Sequence, residues 1–209
     1  VSYSYVWFST KAPENLVDLL CEDIKSFDDK LIDSKVVSDN LENVQNLKIR
    51  SGKNAWIPAS HWISGFIWHY INLANETNFL YDVRSIDSNN IQYSHYEVGD
   101  FYRWHGDWSI DHAYKPEESR ALQRSVSKDQ YIISGESSRK LSFSMQLSDP
   151  SEYTGGELQL LDSATNVYTV PKERGIISIF DSRLSHRVRK VKSGCRKSLV
   201  GWAVGPRWR

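Results

Sequence analysis

The sequence predicts a mainly β fold, a double-stranded β-helix (jelly roll) supported by N-terminal α-helices, and three observations carry that prediction. Apolar residues recur with a period near 3.6 early in the chain and near 2 after Asn78. About eight short strand-like runs follow two helical stretches, the order expected of an antiparallel sandwich or closed sheet with helices packed outside. No internal repeat or low-complexity linker marks a second domain.

Residues 3 to 8, Tyr-Ser-Tyr-Val-Trp-Phe, are aromatic and β-branched and read as an opening strand. From Pro13, which suits a first helical turn, Leu16, Val17, Leu19, Leu20, Ile24, Phe27 and Leu31 recur at helical spacing. Residues 48 to 57 are short and mixed in pattern. Ser60 is placed to cap a second helix, in which Trp62, Ile63, Phe66, Ile67, Tyr70, Ile71 and Ala74 form one apolar stripe of core packing. Strands are then expected at 80–86, 91–98, 101–105, 141–147, 157–161, 167–170, 176–181, 186–191 and 196–204. The expected organisation is one domain over 1–209, with mainly helical support in 1–79 and the jelly-roll core in 80–209. Residues 108–138 interrupt the strand rhythm with a polar run that includes Asp111, Lys115, Glu117, Glu118, Arg120 and Arg124. A connection this long in a compact domain is usually a functional lid or a disordered segment, and the lid is the expectation here.

Composition narrows the function classes. Lys plus Arg and Asp plus Glu both number 26, so no global field selects nucleic acid or an acidic membrane surface. Eight tryptophans and eleven tyrosines suggest a core of large rings under a polar surface, and rings also line ligand clefts. The only cysteines are Cys21 and Cys195, which argues against a disulfide framework and for a reducing compartment. No uncharged apolar run approaches the ~20 residues of a membrane span, so the expectation is a soluble, cytoplasmic protein.

The residues that carry chemistry begin with His105-Gly106-Asp107. Two imidazoles and a carboxylate on one face are what a non-haem Fe(II) centre requires, with the remaining positions open. Chance alone supplies about 0.4 His-x-Asp matches in a chain like this, so the tripeptide needs a third ligand and a context. On a strand, residues i and i+2 share a face, which lets His105 and Asp107 reach one metal while Gly106 adds no bulk. His186 is the best third ligand, since it opens a β-branched segment far downstream. His61 and His69 fall in helical patterns, His95 in an earlier strand and His112 in the expected lid; each reads as a packed or solvated histidine.

A hairpin is expected after His186. If Lys192-Ser193-Gly194 is a three-residue loop with Gly194 left-handed, Val191 pairs with Cys195, Lys190 with Arg196, Val188 with Ser198 and His186 with Val200. Arg196, Ser198, Val200 and Trp202 would then share the face of His186, while Arg187, Arg189 and Lys197 would point to solvent. A buried arginine beside a metal site asks for an anion. A dicarboxylate such as 2-oxoglutarate could chelate the metal at one end and pair with Arg196 at the other.

Tyr96-Glu97-Val98-Gly99-Asp100-Phe101-Tyr102-Arg103-Trp104-His105-Gly106-Asp107, then Gly155-Gly156-Glu157-Leu158, Phe180-Asp181, His186 and Arg196-Lys197-Ser198-Leu199, resemble the Fe(II)/2-oxoglutarate dioxygenases of the prolyl 4-hydroxylase type. The resemblance covers roughly residues 80 to 204. It implies that His105, Asp107 and His186 bind Fe(II), that Arg196, with Ser198 on the same strand, holds the distal carboxylate of 2-oxoglutarate, and that Tyr96 donates its hydroxyl to that carboxylate. It places Tyr102, Trp202 and Arg183 on the substrate side. The implied activity is hydroxylation by O2 coupled to decarboxylation of 2-oxoglutarate to succinate and CO2, with ascorbate as a stimulant. Asp107 favours hydroxylation, because related halogenases lack this carboxylate.

The implied substrate is a peptide or protein containing proline. Three alternatives stay open: another amino acid, a small molecule or a nucleic-acid base as substrate of the same centre. The demethylase branch carries a second arginine six residues after the first, where this chain has Trp202, which makes nucleic acid the weaker choice. A jelly-roll binding module without catalysis is the non-enzymatic alternative. Oligomeric state is not legible.

Overall fold

The computed structural model describes residues 7–34, 36–37, 43–44, 49–58, 60–87, 90–108, 137–162 and 165–206. The expected lid lies outside them, apart from its flanks at Trp108, Ser137 and Ser138, and so do residues 3–6 of the expected opening strand.

The N-terminal part is less purely helical than its sequence suggests. β1 (Trp7–Lys11) precedes α1 (Glu14–Ile24), which tightens into a 3-10 turn at Lys25–Lys30. β2 (Ile32–Asp33) and a small hairpin of β3 (Val36–Val37) and β4 (Asn43–Val44) follow, then β5 (Arg50–Ser51) and β6 (Lys53–Pro58). α2 (Trp62–Ala74) is capped by His61, whose imidazole accepts from the Ile63 amide at 3.4 Å; Ser60, the expected cap, lies one residue outside. A π turn at Asn75–Phe79 ends this stretch. The expected strand at 80–86 shrinks to β7 (Ser85–Ile86), because Leu80 turns left-handed and the Asn75 side chain satisfies the Tyr81 backbone in place of a sheet partner.

The jelly-roll strands are β8 (Asn90–Tyr96), β9 (Phe101–His105), β10 (Ser137–Gln146), β11 (Tyr153–Gly155), β12 (Leu158–Leu161), β13 (Val167–Thr169), β14 (Ile176–Asp181), β15 (Ser185–Val188), β16 (Val191–Gly194) and β17 (Arg196–Pro206). The larger sheet runs β1-β14-β10-β17-β8-β6-β2, with β7 also on β17, and the smaller runs β13-β12-β15-β9-β5. All the strand pairs of both sheets are antiparallel.

The two faces of the larger sheet have opposite chemistry, which is what creates a cleft. On β10, Leu141, Phe143 and Met145 join Ile177 and Ile179 of β14, Leu199 and Ala203 of β17 and Ile91 and Tyr93 of β8 in a core that includes Val17, Leu20 and Ile24 of α1 and Ile63, Ile67 and Ile71 of α2. Fully burying one such aliphatic side chain stabilises the fold by roughly 1.5–3 kcal/mol. The alternate residues Ser142, Ser144, Gln146, Ser178, Gln92, Ser94, Arg196 and Ser198 are also buried, yet polar. With period 2 they occupy the opposite face, toward the smaller sheet. The apolar cluster on that side is smaller, made chiefly of Tyr96, Leu158, Leu160, Phe180, Val188 and Val191. Among the described residues no helix is long and apolar enough to cross a membrane.

Candidate active site

His105 and His186 face each other directly, as partners in the register of β9 and β15, with ring centroids 4.1 Å apart. Asp107 follows β9, held where its amide and that of Trp108 both donate to the Ser182 carbonyl, at 3.1 and 3.0 Å. The three side chains bring ligand atoms within 4.8 Å of one another. His186 Nε2 lies 3.2 Å and His105 Nε2 3.9 Å from the nearer Asp107 oxygens. Donors about 2.1 Å from one metal at right angles lie ~3 Å apart, so the spacing suits a shared cation.

The surroundings orient each donor. His105 Nδ1 meets the Arg103 carbonyl at 2.8 Å and His186 Nδ1 meets the Leu184 carbonyl at 3.0 Å, which leaves both Nε2 atoms for a metal. Ser142, from the opposite sheet, donates to Asp107 Oδ2 at 2.7 Å and is itself 3.0 Å from the Ser182 hydroxyl. The Tyr102 ring stacks on His105 at 3.5 Å, and Phe180 meets His186 edge-on at 4.9 Å. Burial opposes the charge on Asp107, but His186 and His105 beside it and the Ser142 hydroxyl hold its carboxyl well below the usual carboxylate range. Burial, reinforced by His186, pushes the His105 imidazole down to about 3. For His186 burial acts downward, yet the Asp107 carboxylate overrides it and raises the imidazole. An ionised carboxylate with two oriented imidazoles is a donor set that a divalent cation completes.

Arg196 closes the other side of the cleft. The hairpin expected to bring it beside His186 does not form. Gly194 is left-handed as expected, at φ +70°, but β16 pairs with β11 and β17 crosses to the larger sheet between β8 and β10. The physical reason is the amphipathic pattern of β17, which needs Leu199 and Ala203 against the helices and bonds on both edges. Arg196 therefore pairs with Tyr96 and faces His186 across the cleft.

The cleft holds about 400 Å³ and is lined by all three donors, Arg196, Tyr96, Tyr102, Val200 and Trp202. Ser198 is buried beneath it and accepts from Arg196 Nη1 at 3.1 Å. The guanidinium is 5.7 Å from the Tyr96 ring, and among the described residues no carboxylate pairs with it. Burial lowers its affinity for the proton, against a counter-effect from the Tyr153 and Tyr96 hydroxyls. A buried cation among neutral partners is costly until an anion joins it.

Arg183 is not brought to the cleft. Its guanidinium is tied to Asp181 at 2.6 Å and to the Tyr81 hydroxyl at 3.3 Å. Arg187 also departs from expectation, being half-buried, bonded to Gln159 at 2.9 Å and stacked on Trp104, whereas Arg189 is exposed. Sequence reasoning missed Ser142, Tyr153, Arg50 and Arg139. For the first, the signal was present in Ser142-Phe143-Ser144-Met145-Gln146, a strand whose polar residues alternate with deep core residues.

Two imidazoles and one carboxylate on a jelly roll, with an uncompensated arginine opposite, are the donor set of the non-haem Fe(II) oxygenases. The chain belongs to the 2OG-Fe(II) oxygenase superfamily, whose sequence profile matches residues 91–204, just over half of its 209 residues. That superfamily brings Fe(II) with 2-oxoglutarate and O2 as cosubstrates. A PKHD-type hydroxylase of Synechococcus sp. (strain CC9311) is 42% identical over 72 residues, which span 34% of this chain and 31% of the relative. The chain thus matches about a third of the length of such curated relatives. A Pseudomonas putida prolyl-4-hydroxylase shares the fold over 98% of this chain and 95% of its own, at TM-score 0.66 and 17% identity. A Trichoplax adhaerens prolyl hydroxylase, solved with a hypoxia inducible factor peptide fragment, shares it over 96% of this chain and 84% of its own, at TM-score 0.68 and 15% identity.

Proposed function

We propose that this chain is an Fe(II)- and 2-oxoglutarate-dependent hydroxylase that acts on prolyl residues of a peptide or protein, releasing succinate and CO2. The observation that carries the reading is the opposition of the three-donor cluster to the buried, uncompensated Arg196 in one cleft. The name of the PKHD-type relatives and the fold shared with prolyl hydroxylases, one of them solved with a peptide, support the choice of substrate.

In this reading His105, Asp107 and His186 hold the iron, which supplies the oxygen chemistry that protein side chains lack. Arg196 pairs bidentately with the distal carboxylate of 2-oxoglutarate, Tyr96 donates its hydroxyl to it, and Ser198 keeps the guanidinium in place. Tyr102 and Trp202 border the space left for the substrate and exclude water from it. Two free cysteines, both half-buried, suit a reducing compartment such as the cytoplasm.

The test is incubation with Fe(II), 2-oxoglutarate, ascorbate and a panel of prolyl peptides, reading succinate and a peptide mass gain of about 16 Da, one oxygen atom, as expected of hydroxylation. Peptide-dependent succinate with hydroxyproline is the expected result. Turnover of free amino acids with none of the peptides would overturn the prolyl assignment, and no 2-oxoglutarate consumption under any condition would overturn the enzyme.

A further inference from the structure

We infer that the substrate of this cleft presents a carboxylate to Arg50. The inference rests on the oxygenase reading above and deepens it by adding a second anion subsite. Arg50 is 7% exposed, lines the cleft, and its Nε is buried without a hydrogen-bond partner among the described residues. Its guanidinium lies 4.8 Å from the Tyr102 ring, which in turn stacks on His105 at 3.5 Å. The subsite therefore sits one aromatic ring away from the metal ligands.

Among the described residues three arginines line this cleft, and their partners differ. Arg139 is neutralised by Asp87 at 2.7 Å and stacks on Trp202 at 3.7 Å. Arg196 is assigned to the cosubstrate. Arg50 alone is left with neither a carboxylate among the described residues nor a cosubstrate to meet it. A buried guanidinium with an unmet donor is expensive to hold and is best satisfied by a planar anion that accepts from the fork.

The backbone holds it there. Arg50 pairs with Tyr102 in the register of β5 and β9, the Arg103 amide donates to the Ile49 carbonyl at 2.9 Å, and the Ser51 hydroxyl donates to Asp100 at the start of β9. Ile49 and Trp56, 38% and 45% exposed, give the entrance an apolar flank. A single free guanidinium suits the single charge of a carboxylate better than a phosphate dianion, for which the described residues of the cleft offer no second free cation. The carboxylate can come from an acidic side chain next to the target residue of a peptide, or be the substrate's own α-carboxylate.

The experiment is arginine Nε–H NMR on the full chain loaded with diamagnetic Zn(II) and 2-oxoglutarate, so that Arg196 is already engaged. Arg50→Lys identifies the Arg50 resonance by its loss, and Arg50→Gln is the fallback for assignment. Three carboxylate and amide twins are titrated: N-acetylglycine and N-acetylglycinamide, N-acetyl-Pro-Glu-amide and N-acetyl-Pro-Gln-amide, and proline and prolinamide. The expected result is that the Arg50 resonance shifts with a carboxylate member and that this member binds at least tenfold more tightly than its amide twin. The second and third pairs separate a side-chain source from an α-carboxylate.

A silent resonance with all three carboxylates overturns the inference, as does an equal shift with the amides. Loss of 2-oxoglutarate binding in Arg50→Gln would also overturn it, by giving Arg50 to the cosubstrate. A shift with N-acetylglycine but no hydroxyproline from any prolyl peptide keeps the subsite and sinks the prolyl reading. Equal hydroxylation of the Glu and Gln peptides, with a silent resonance, does the reverse.

Discussion

His105 and His186 are register partners on neighbouring antiparallel strands, with ring centroids 4.1 Å apart, although 81 positions separate them in the chain (186 minus 105). Each ring is oriented by a carbonyl of its own strand region, so the pair is preorganised before any metal arrives. We expect His105→Ala, Asp107→Ala and His186→Ala each to abolish 2-oxoglutarate turnover while leaving the thermal unfolding transition cooperative. Retained turnover in any of the three would remove that residue from the metal centre.

Ser142 carries a subtler prediction. Its hydroxyl crosses from the larger sheet to Asp107 Oδ2, at 2.7 Å, and fixes a carboxylate oxygen that would otherwise rotate. Loss of such a supporting bond typically costs 10–100-fold in metal affinity. Ser142→Ala should therefore weaken Fe(II) activation by roughly tenfold or more, with the KM for 2-oxoglutarate measured at saturating iron little changed. An unaltered iron requirement would mean that Asp107 is positioned by its backbone alone.

Arg196 was legible in the sequence, but the route to it was not. The expected hairpin placed it beside His186 along one sheet, whereas β17 crosses to the other sheet and presents it from the opposite wall. Alternation predicted which residues of β17 face the cleft, since alternation is local; partner choice is set by which sheet edge can bury Leu199 and Ala203, and that is not local. His105 and Asp107 are marked by their i, i+2 spacing, although β9 ends at His105 and Asp107 is set by the Ser182 carbonyl beyond it. His186 is marked by the segment it opens, while Arg50, on a two-residue strand in a mixed stretch, gives no periodic signal. Nothing in the sequence pattern indicates that Asp181, two residues away, pairs with Arg183.

Substitution at Arg196 separates charge from geometry. Arg196→Lys keeps the charge and loses the fork, and Arg196→Gln loses both. Truncating one partner of a buried, hydrogen-bonded charge pair costs about 2–5 kcal/mol, so Arg196→Gln should raise the KM for 2-oxoglutarate on the order of 100-fold, with Arg196→Lys between it and the wild type. Equal KM values for all three proteins would assign the carboxylate to another group.

Gly156 connects the Gly-Gly-Glu-Leu turn to that arginine. At φ +66° it is left-handed, and a Cβ there would come within 3.2 Å of Arg196 Cδ and 3.0 Å of Val191 Cγ2. Gly156→Ala adds backbone strain of about 1–3 kcal/mol and presses on the arginine stem. The expected outcome is a lower Tm, by roughly 2–4 °C for each kcal/mol, together with a raised KM for 2-oxoglutarate. A lowered Tm with unchanged KM would show that the Arg196 stem yields without moving its guanidinium.

His95 sets a pH dependence that is independent of the metal centre. Burial, helped by Lys197, pushes its imidazole down to about 4 against the opposing pull of Asp28, and its Nε2 has no hydrogen-bond partner among the described residues. In the unfolded chain the imidazole titrates near 6.5, so between about pH 6.5 and 4 the unfolded state binds a proton that the folded state does not. Stability is therefore fully present above about pH 6.5 and falls as the pH drops through that window. His95→Gln removes the titrating group while keeping a side chain of similar reach. Urea midpoints measured at pH 7, 6, 5 and 4, as round settings spanning roughly that window, should fall more steeply for the wild type than for His95→Gln. Parallel curves for the two proteins would mean that His95 is protonated in the fold as readily as in the open chain.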